Sequence, residues 1–440
     1  MKNNNRNQKT HQYEEQRNSH HEAHLNTRHC EERSDEAIHS SLFDTSVLTR
    51  ETVSILNSFD EIIQGVRPLN SRQLQQLPEN IRNLSHQLTD DRASRRLGYM
   101  NDNIQLSSYV RYYTWWNLVR LTRLFANIPA SVFPTSDCTC LDLGSGPLTV
   151  VTALWLARPE LRKLKLTWYC LDVSANSMAL GEDIFLSIAA KEKAADESIE
   201  PWKIVRVKGA FGTAIKQKAD FLTCANMFNE LDQASDMPPE FQTKKYYEQI
   251  QRYCEKDAGV LLVEPGVPKA ARTLSLLRTR FIKDGHTIAA PCPHAEECPM
   301  SGFKAYTGSK NKWCNFAFST EDAPAKLQKL STLAKLPKER ATLSFLAVSS
   351  SAVVSTSSTT VFTDTTIRIT SDKLRLPNYM CGYYACTRFG LALVKLPDEN
   401  NKRLPEPPFR PQSGDLISVK TKTPDSLPKD EKSGAVIIEL

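Results

Sequence analysis

The chain has 440 residues, 40% hydrophobic and 24% charged, which is the composition of an ordinary globular protein long enough for two or three domains. No uninterrupted apolar run approaches the ~18–20 residues of a membrane helix, and the polar, His-rich N-terminus lacks the apolar stretch of a secretory signal. A monomeric, intracellular protein without a membrane partner is therefore expected, its cysteines reduced and more suited to metal or redox chemistry than to disulfides.

Residues 1–44 read as a disordered tail holding six of the nine histidines, His11, His20, His21, His24, His29 and His39. Residues 45–130 form a helical region, with apolar side chains at Val53, Leu56, Phe59, Ile62 and Ile63. A second helix is expected over Tyr109–Leu121, its aromatic residues packing against the next domain.

Residues 131–268 alternate strand and helix, the pattern of a doubly wound α/β sheet. The apolar strands are Cys138–Leu143, Leu166–Leu171, Ile204–Val207, Phe221–Ala225 and Gly259–Val263, with helices at Leu148–Ala157, Ser177–Ala190 and Tyr246–Cys254. Residues 269–396 form a cysteine-rich and β region, and 397–440, rich in Pro and Lys, a flexible tail. The formal net charge of +6 is concentrated in residues 266–346, with 13 Lys and Arg against 6 Asp and Glu. Such a segment is a nucleic-acid-facing surface or a solvated basic face.

The run Asp142-Leu143-Gly144-Ser145-Gly146 stands where the first strand turns into a helix. Two glycines let the backbone turn tightly and let a ligand approach, and the helix that follows offers unpaired N–H groups. Position 149 is Thr, so the third glycine of a dinucleotide-binding loop is missing. An S-adenosylmethionine-type loop does not need it. Asp172 ends the next strand, where its carboxylate can accept the ribose hydroxyls of an adenosyl ligand. Asp142, Gly144, Ser145, Gly146 and Asp172 are thus the candidate cofactor residues of a class I, Rossmann-like methyltransferase sheet. After the fourth strand comes Asn226-Met227-Phe228-Asn229-Glu230, without the Asn/Asp-Pro-Pro-aromatic box of amino-group methyltransferases. Cys224 carries no mark of a nucleophile, and no catalytic residue is assigned.

Downstream lie Pro291-Cys292-Pro293-His294, Cys298-Pro299 and Trp313-Cys314-Asn315-Phe316. Three thiols flanked by prolines are expected to ligate a metal, with Cys386 or Cys381 as the fourth donor; the alternative is a coincidental group of free cysteines. The spacing is not that of a zinc ribbon, and zinc and an iron–sulfur cluster both remain open.

Taken with Leu262-Val263-Glu264-Pro265-Gly266-Val267-Pro268, these motifs resemble the ribosomal small-subunit-associated methyltransferase-like family, the mitochondrial small-subunit assembly factors and their bacterial relatives. The resemblance covers roughly residues 45–395. It implies a methyltransferase fold, binding to small-subunit ribosomal RNA during assembly, and a [4Fe-4S] cluster on Cys292, Cys298, Cys314 and Cys386, with Cys381 as the alternative fourth ligand. It also implies a bacterial cytoplasm or a mitochondrial matrix, the cytoplasm being preferred. Two features depart from the family: Leu148 stands where a small residue is expected, and the Ser/Thr-rich run 349–360 reads as an insertion. The chain is expected to be an rRNA methyltransferase if active; the alternative is a non-catalytic RNA-binding assembly factor with a structural metal site.

Overall fold

The computed structural model describes residues 40–89, 99–233, 237–303, 312–350, 365–400, 405, 407, 409–419, 421 and 426–440. Its core sheet is built from β1 (Thr139–Leu143), β2 (Thr167–Asp172), β3 (Lys203–Lys208), β4 (Ala219–Ala225), β5 (Cys254–Glu264), β6 (Ile288–Ala290), β7 (Phe316–Ser319) and β8 (Arg340–Val348). The order is β3-β2-β1-β4-β5-β8-β6, with β7 also paired to β8. Strands β1 to β5 are parallel to one another, whereas β8 runs antiparallel to both β5 and β6. Because helices cover both faces of a parallel sheet, its central strands read as nearly continuous apolar runs. Cys140, Leu141 and Leu143 of β1 are accordingly fully buried.

The helices that follow the strands are α6 (Thr149–Ala157), α7 (Ala175–Ala195), α8 (Phe228–Gln233), α9 (Pro239–Tyr253) and α10 (Pro268–Lys283). Every residue of α6 is buried between the sheet and the N-terminal helices. Those helices are α1 (Arg50–Asn57), α2 (Phe59–Val66), α3 (Ser71–Thr89), α4 (Asn103–Tyr109) and α5 (Trp115–Asn127). They dock through buried polar ties as well as apolar packing: Thr52 Oγ1 donates to the Leu156 carbonyl at 2.7 Å and Trp115 Nε1 to that of Leu56 at 2.8 Å.

The helix expected over Tyr109–Leu121 is present and helical throughout, but it contains an irregular turn. Residues Val110–Thr114 form one π-helical turn between α4 and α5. An inserted residue of this kind rotates the side chains on either side of it, and such turns recur at functional sites.

Two sequence expectations about organisation are corrected. The sheet is not complete at residue 268, because β8 lies between β5 and β6 and arrives only after α11 (Ala325–Leu333). Its place depends on pairing across some eighty residues, which local periodicity does not show. The segment 397–440 is also not wholly a tail. It contributes β13 (Leu416–Val419) and β14 (Val436–Glu439) to a second sheet with β9 (Thr365–Ile369), β10 (Leu374–Leu376), β11 (Met380–Thr387) and β12 (Gly390–Pro397). The order is β13-β9-β11-β12-β14, with β10 beside β11. Both late strands bury alternate apolar residues, Ile417 and Val419, then Val436 and Ile438, behind Pro- and Lys-rich flanks. Most of the His-rich tail and of the Ser/Thr-rich run lies outside the described residues.

Candidate cofactor and cysteine sites

The glycine loop is fixed from below. Gly144 and Ser145 both donate their N–H to the Leu171 carbonyl, at 2.9 and 3.1 Å, and Ser145 Oγ donates to the Asp142 carbonyl at 2.7 Å. Gly144 has φ +65°, and a Cβ there would stand 3.0 Å from the Met227 Cβ. Only glycine combines that backbone with that clearance. Gly146 donates its N–H to Asp172 Oδ2 at 2.9 Å, while Oδ1 accepts from Ser174 N at 2.8 Å. Burial raises the Asp172 carboxyl pKa, and the N–H bonds of Ser174 and Gly146 oppose that shift. Each oxygen retains a lone pair, so this carboxylate can brace the loop and still accept from a ribose hydroxyl.

Asp142 has a different setting. Its side chain is fully buried beneath the loop, with Oδ1 accepting from Thr223 Oγ1 at 2.7 Å and Oδ2 without a hydrogen-bond partner. Burial drives its pKa up to about 7, opposed by the hydroxyls of Thr223 and Ser145. Leu148, two residues past Gly146, holds the left-handed conformation at φ 53°, ψ 35° with its side chain fully buried. That backbone costs a leucine roughly 1–2 kcal/mol, which explains why a small residue suits the position. Packing into the core offsets the cost.

Several residues of this site carry no sequence signature. Ser174 Oγ donates to Asn101 Oδ1 at 2.9 Å and Ser177 Oγ to the Met100 sulfur at 3.4 Å, laying the segment before α4 across the loop. The half-buried Tyr109 stacks on Tyr113 at 5.4 Å. Burial and the nearby charges of Glu230 and Asp172 push its pKa upward. Arg120 donates to Asn226 Oδ1 at 3.1 Å, holding the residue that follows β4 at φ 61°. Glu264, fully buried, accepts from the N–H groups of Phe228 and Asn229 at 2.9 and 3.1 Å, so a strand-end carboxylate caps α8. That double acceptance is the physical content of the Val-Glu-Pro-Gly motif.

The cysteine loop lies between the core sheet and the second sheet. Cys292, Cys298 and Cys314 line one small cavity with Arg278, Pro291 and Phe345. Burial raises the pKa of Cys314, and that shift is reinforced by Cys298, Cys292 and Cys386. Burial likewise raises Cys386, with Cys292 and Cys298 next in effect. The four thiols are thus within electrostatic reach of one another. Cys381 faces elsewhere: five residues from Cys386 on one strand, it is on the opposite face of β11, in the second sheet's own core. His294 Nε2 lies 3.1 Å from Cys386 Sγ.

Two buried guanidiniums complete the setting. Arg278 Nε donates to Cys292 Sγ at 3.0 Å and its Nη2 to the His294 carbonyl at 2.7 Å. Arg368 donates to the carbonyls of Pro291 and Gly414 at 2.9 and 2.7 Å. Among the described residues, no group of three or more His, Cys, Asp or Glu is arranged to hold a metal ion. The thiols are gathered without being closed on one point.

Strand order, antiparallel β8 and the glycine loop at the end of β1 together define the class I methyltransferase fold. Residues 116–380 match the family model described as Rsm22, mitochondrial small ribosomal subunit Rsm22. The chain belongs to that family. No curated protein matches it. Solved structures similar to it include precorrin-6y C5,15-methyltransferase from Geobacter metallireducens, at 8% identity over 52% of this chain and 87% of that one, TM-score 0.29. Ribosomal protein L11 methylase from Lactobacillus delbrueckii subsp. bulgaricus is 17% identical over 39% and 71%, TM-score 0.24. An S-adenosylmethionine-dependent methyltransferase from Geobacter sulfurreducens, solved with S-adenosylhomocysteine, is 12% identical over 53% and 90%, TM-score 0.29. At these scores the likenesses add nothing to what the strand order already states.

Proposed function

We propose that this chain binds S-adenosylmethionine and small-subunit ribosomal RNA during ribosome assembly, and holds a [4Fe-4S] cluster on Cys292, Cys298, Cys314 and Cys386. The gathering of Cys292, Cys298 and Cys314 about one cavity, with Cys386 3.1 Å from the His294 ring that Arg278 ties to the same loop, supports the cluster. Four cysteine thiols are the donor type that such a cluster takes. A mononuclear zinc ion needs its donors ~2.3 Å from one point, whereas a polynuclear cluster takes thiolates spread more widely. A cluster on four thiolates is anionic, and the buried Arg278 beside Cys292 supplies both positive charge and an N–H···S bond of the kind that tunes such sites. When bound, the cluster supplies a redox-sensitive cross-link between core and second sheet.

In the adenosyl site, Asp172 orients the ribose while bracing Gly146, Gly144 gives the ligand backbone clearance, and the Met100–Tyr109 segment covers the loop. S-adenosylmethionine supplies an electrophilic methyl group. No residue is assigned as a general base, and methyl transfer can rest on positioning alone. The left-handed Leu148 beside the glycine loop favours, as the second reading, a factor that uses the fold to bind RNA without transferring a methyl group. The family description names the mitochondrion; the chain would act wherever its small subunit is assembled, in that organelle or in a bacterial cytoplasm, and the preference for the cytoplasm gains no support from the family.

Anaerobic purification with iron and acid-labile sulfide analysis tests the cluster. Brown protein absorbing broadly near ~400 nm with stoichiometric iron is expected. Colourless protein carrying one zinc would overturn it.

A further inference from the structure

The edge of the core sheet that carries the glycine loop also carries exposed aromatic side chains. Helix α10 starts where β5 ends, so its first turn shares that edge with the end of β1. Phe241 at the start of α9 is 67% exposed and Phe303 60%, and the Arg272–Glu240 pair links the segments that carry them. Burying a Phe is worth roughly 1.5–3 kcal/mol to folding, and neither ring collects it. The Arg272 guanidinium lies 5.0 Å from the Phe303 ring centroid, covering one face. Arg272 is itself tied to Glu240 at 2.7 Å, and Arg280 donates to the Glu240 carbonyl at 3.3 Å. The loop bearing Phe303 rests on the first turn of α10, where a Cβ on Gly302 would come within 2.8 Å of the Pro268 carbonyl. The ring is held in place by these contacts.

We propose that Phe241, Phe303 and Arg272 form a stacking platform for a single-stranded RNA segment running past the cofactor loop. Exposed ring faces accept any base, and a guanidinium both stacks on bases and meets phosphate. Arg272 and Arg280 of α10 both reach Glu240, one at its carboxylate and one at its carbonyl, so two guanidiniums stand against one carboxylate and the excess charge suits a polyanion. This inference rests on the RNA-binding reading above and specifies where on the chain the strand lies.

The test uses the full chain and a fluorescently labelled 20-residue oligouridine, with a blunt RNA duplex as comparison, read by anisotropy. The double variant Phe241→Ala/Phe303→Ala should bind the single strand about 10- to 100-fold more weakly. Its melting temperature and S-adenosylhomocysteine affinity should not change. Phe241→Trp/Phe303→Trp should restore binding, and Arg272→Gln should reduce the salt slope by about one. Wild-type binding that the alanine pair leaves intact would overturn the platform alone. Absence of wild-type RNA binding would overturn the RNA reading with it. Loss of self-association in the alanine pair, seen by sedimentation without loss of RNA affinity, would assign the patch to a second copy and also overturn the platform.

Discussion

Asp172 Oδ2 accepts the main-chain N–H of Gly146 at 2.9 Å, joining the end of β2 to the loop that follows β1. One carboxylate thereby shapes the glycine loop, and in the proposed cofactor site it also orients the adenosyl ribose. Asp172→Ala should lower S-adenosylmethionine affinity by about tenfold or more, since charge-assisted hydrogen bonds are worth roughly 1.5–3 kcal/mol. Isothermal calorimetry reads this directly. Unchanged affinity would remove Asp172 from the site.

Asp142 should make stability depend on pH. Its carboxyl titrates near 7 in the folded chain against about 4 when unfolded, so between those values the native state binds more protons. Its contribution is therefore fully present below pH ~4 and lost as pH rises toward ~7, with a slope of at most about 1.4 kcal/mol per pH unit. Asp142→Asn keeps an acceptor for Thr223 and should flatten that slope in melting-temperature profiles. Parallel profiles for both proteins would show that this carboxyl is not the source.

Glu264 is expected to be structural. Its two oxygens satisfy the Phe228 and Asn229 N–H groups in a fully buried place. Glu264→Ala leaves those donors orphaned and should cost about 2–4 kcal/mol in denaturant unfolding. A loss below about 1 kcal/mol would mean that water replaces the carboxylate.

Cys386 and Cys381 separate cleanly by face. Cys386→Ser should reduce iron content in anaerobically purified protein, while Cys381→Ser, in the apolar core of the second sheet, should retain it. The reverse result would exchange their assignments.

The glycine loop and the parallel strands were legible because a buried strand is written as a contiguous apolar run and a tight turn as glycine. Three cysteines were legible as residues, but the choice between Cys386 and Cys381 depends on which face of β11 meets the core. Arg278 and Arg368 were invisible because a buried guanidinium looks like any surface Arg until its partners are placed. The insertion of β8 between β5 and β6 was hidden by its distance along the chain. Short strands in Pro- and Lys-rich sequence, such as Leu416–Val419, disappear into their flanks.

Crosslinking in living cells followed by sequencing of the bound RNA is the most direct measurement of the central claim. The account predicts that crosslinked reads concentrate on small-subunit ribosomal RNA. Reads spread over unrelated transcripts, with no enrichment on that RNA, would contradict it.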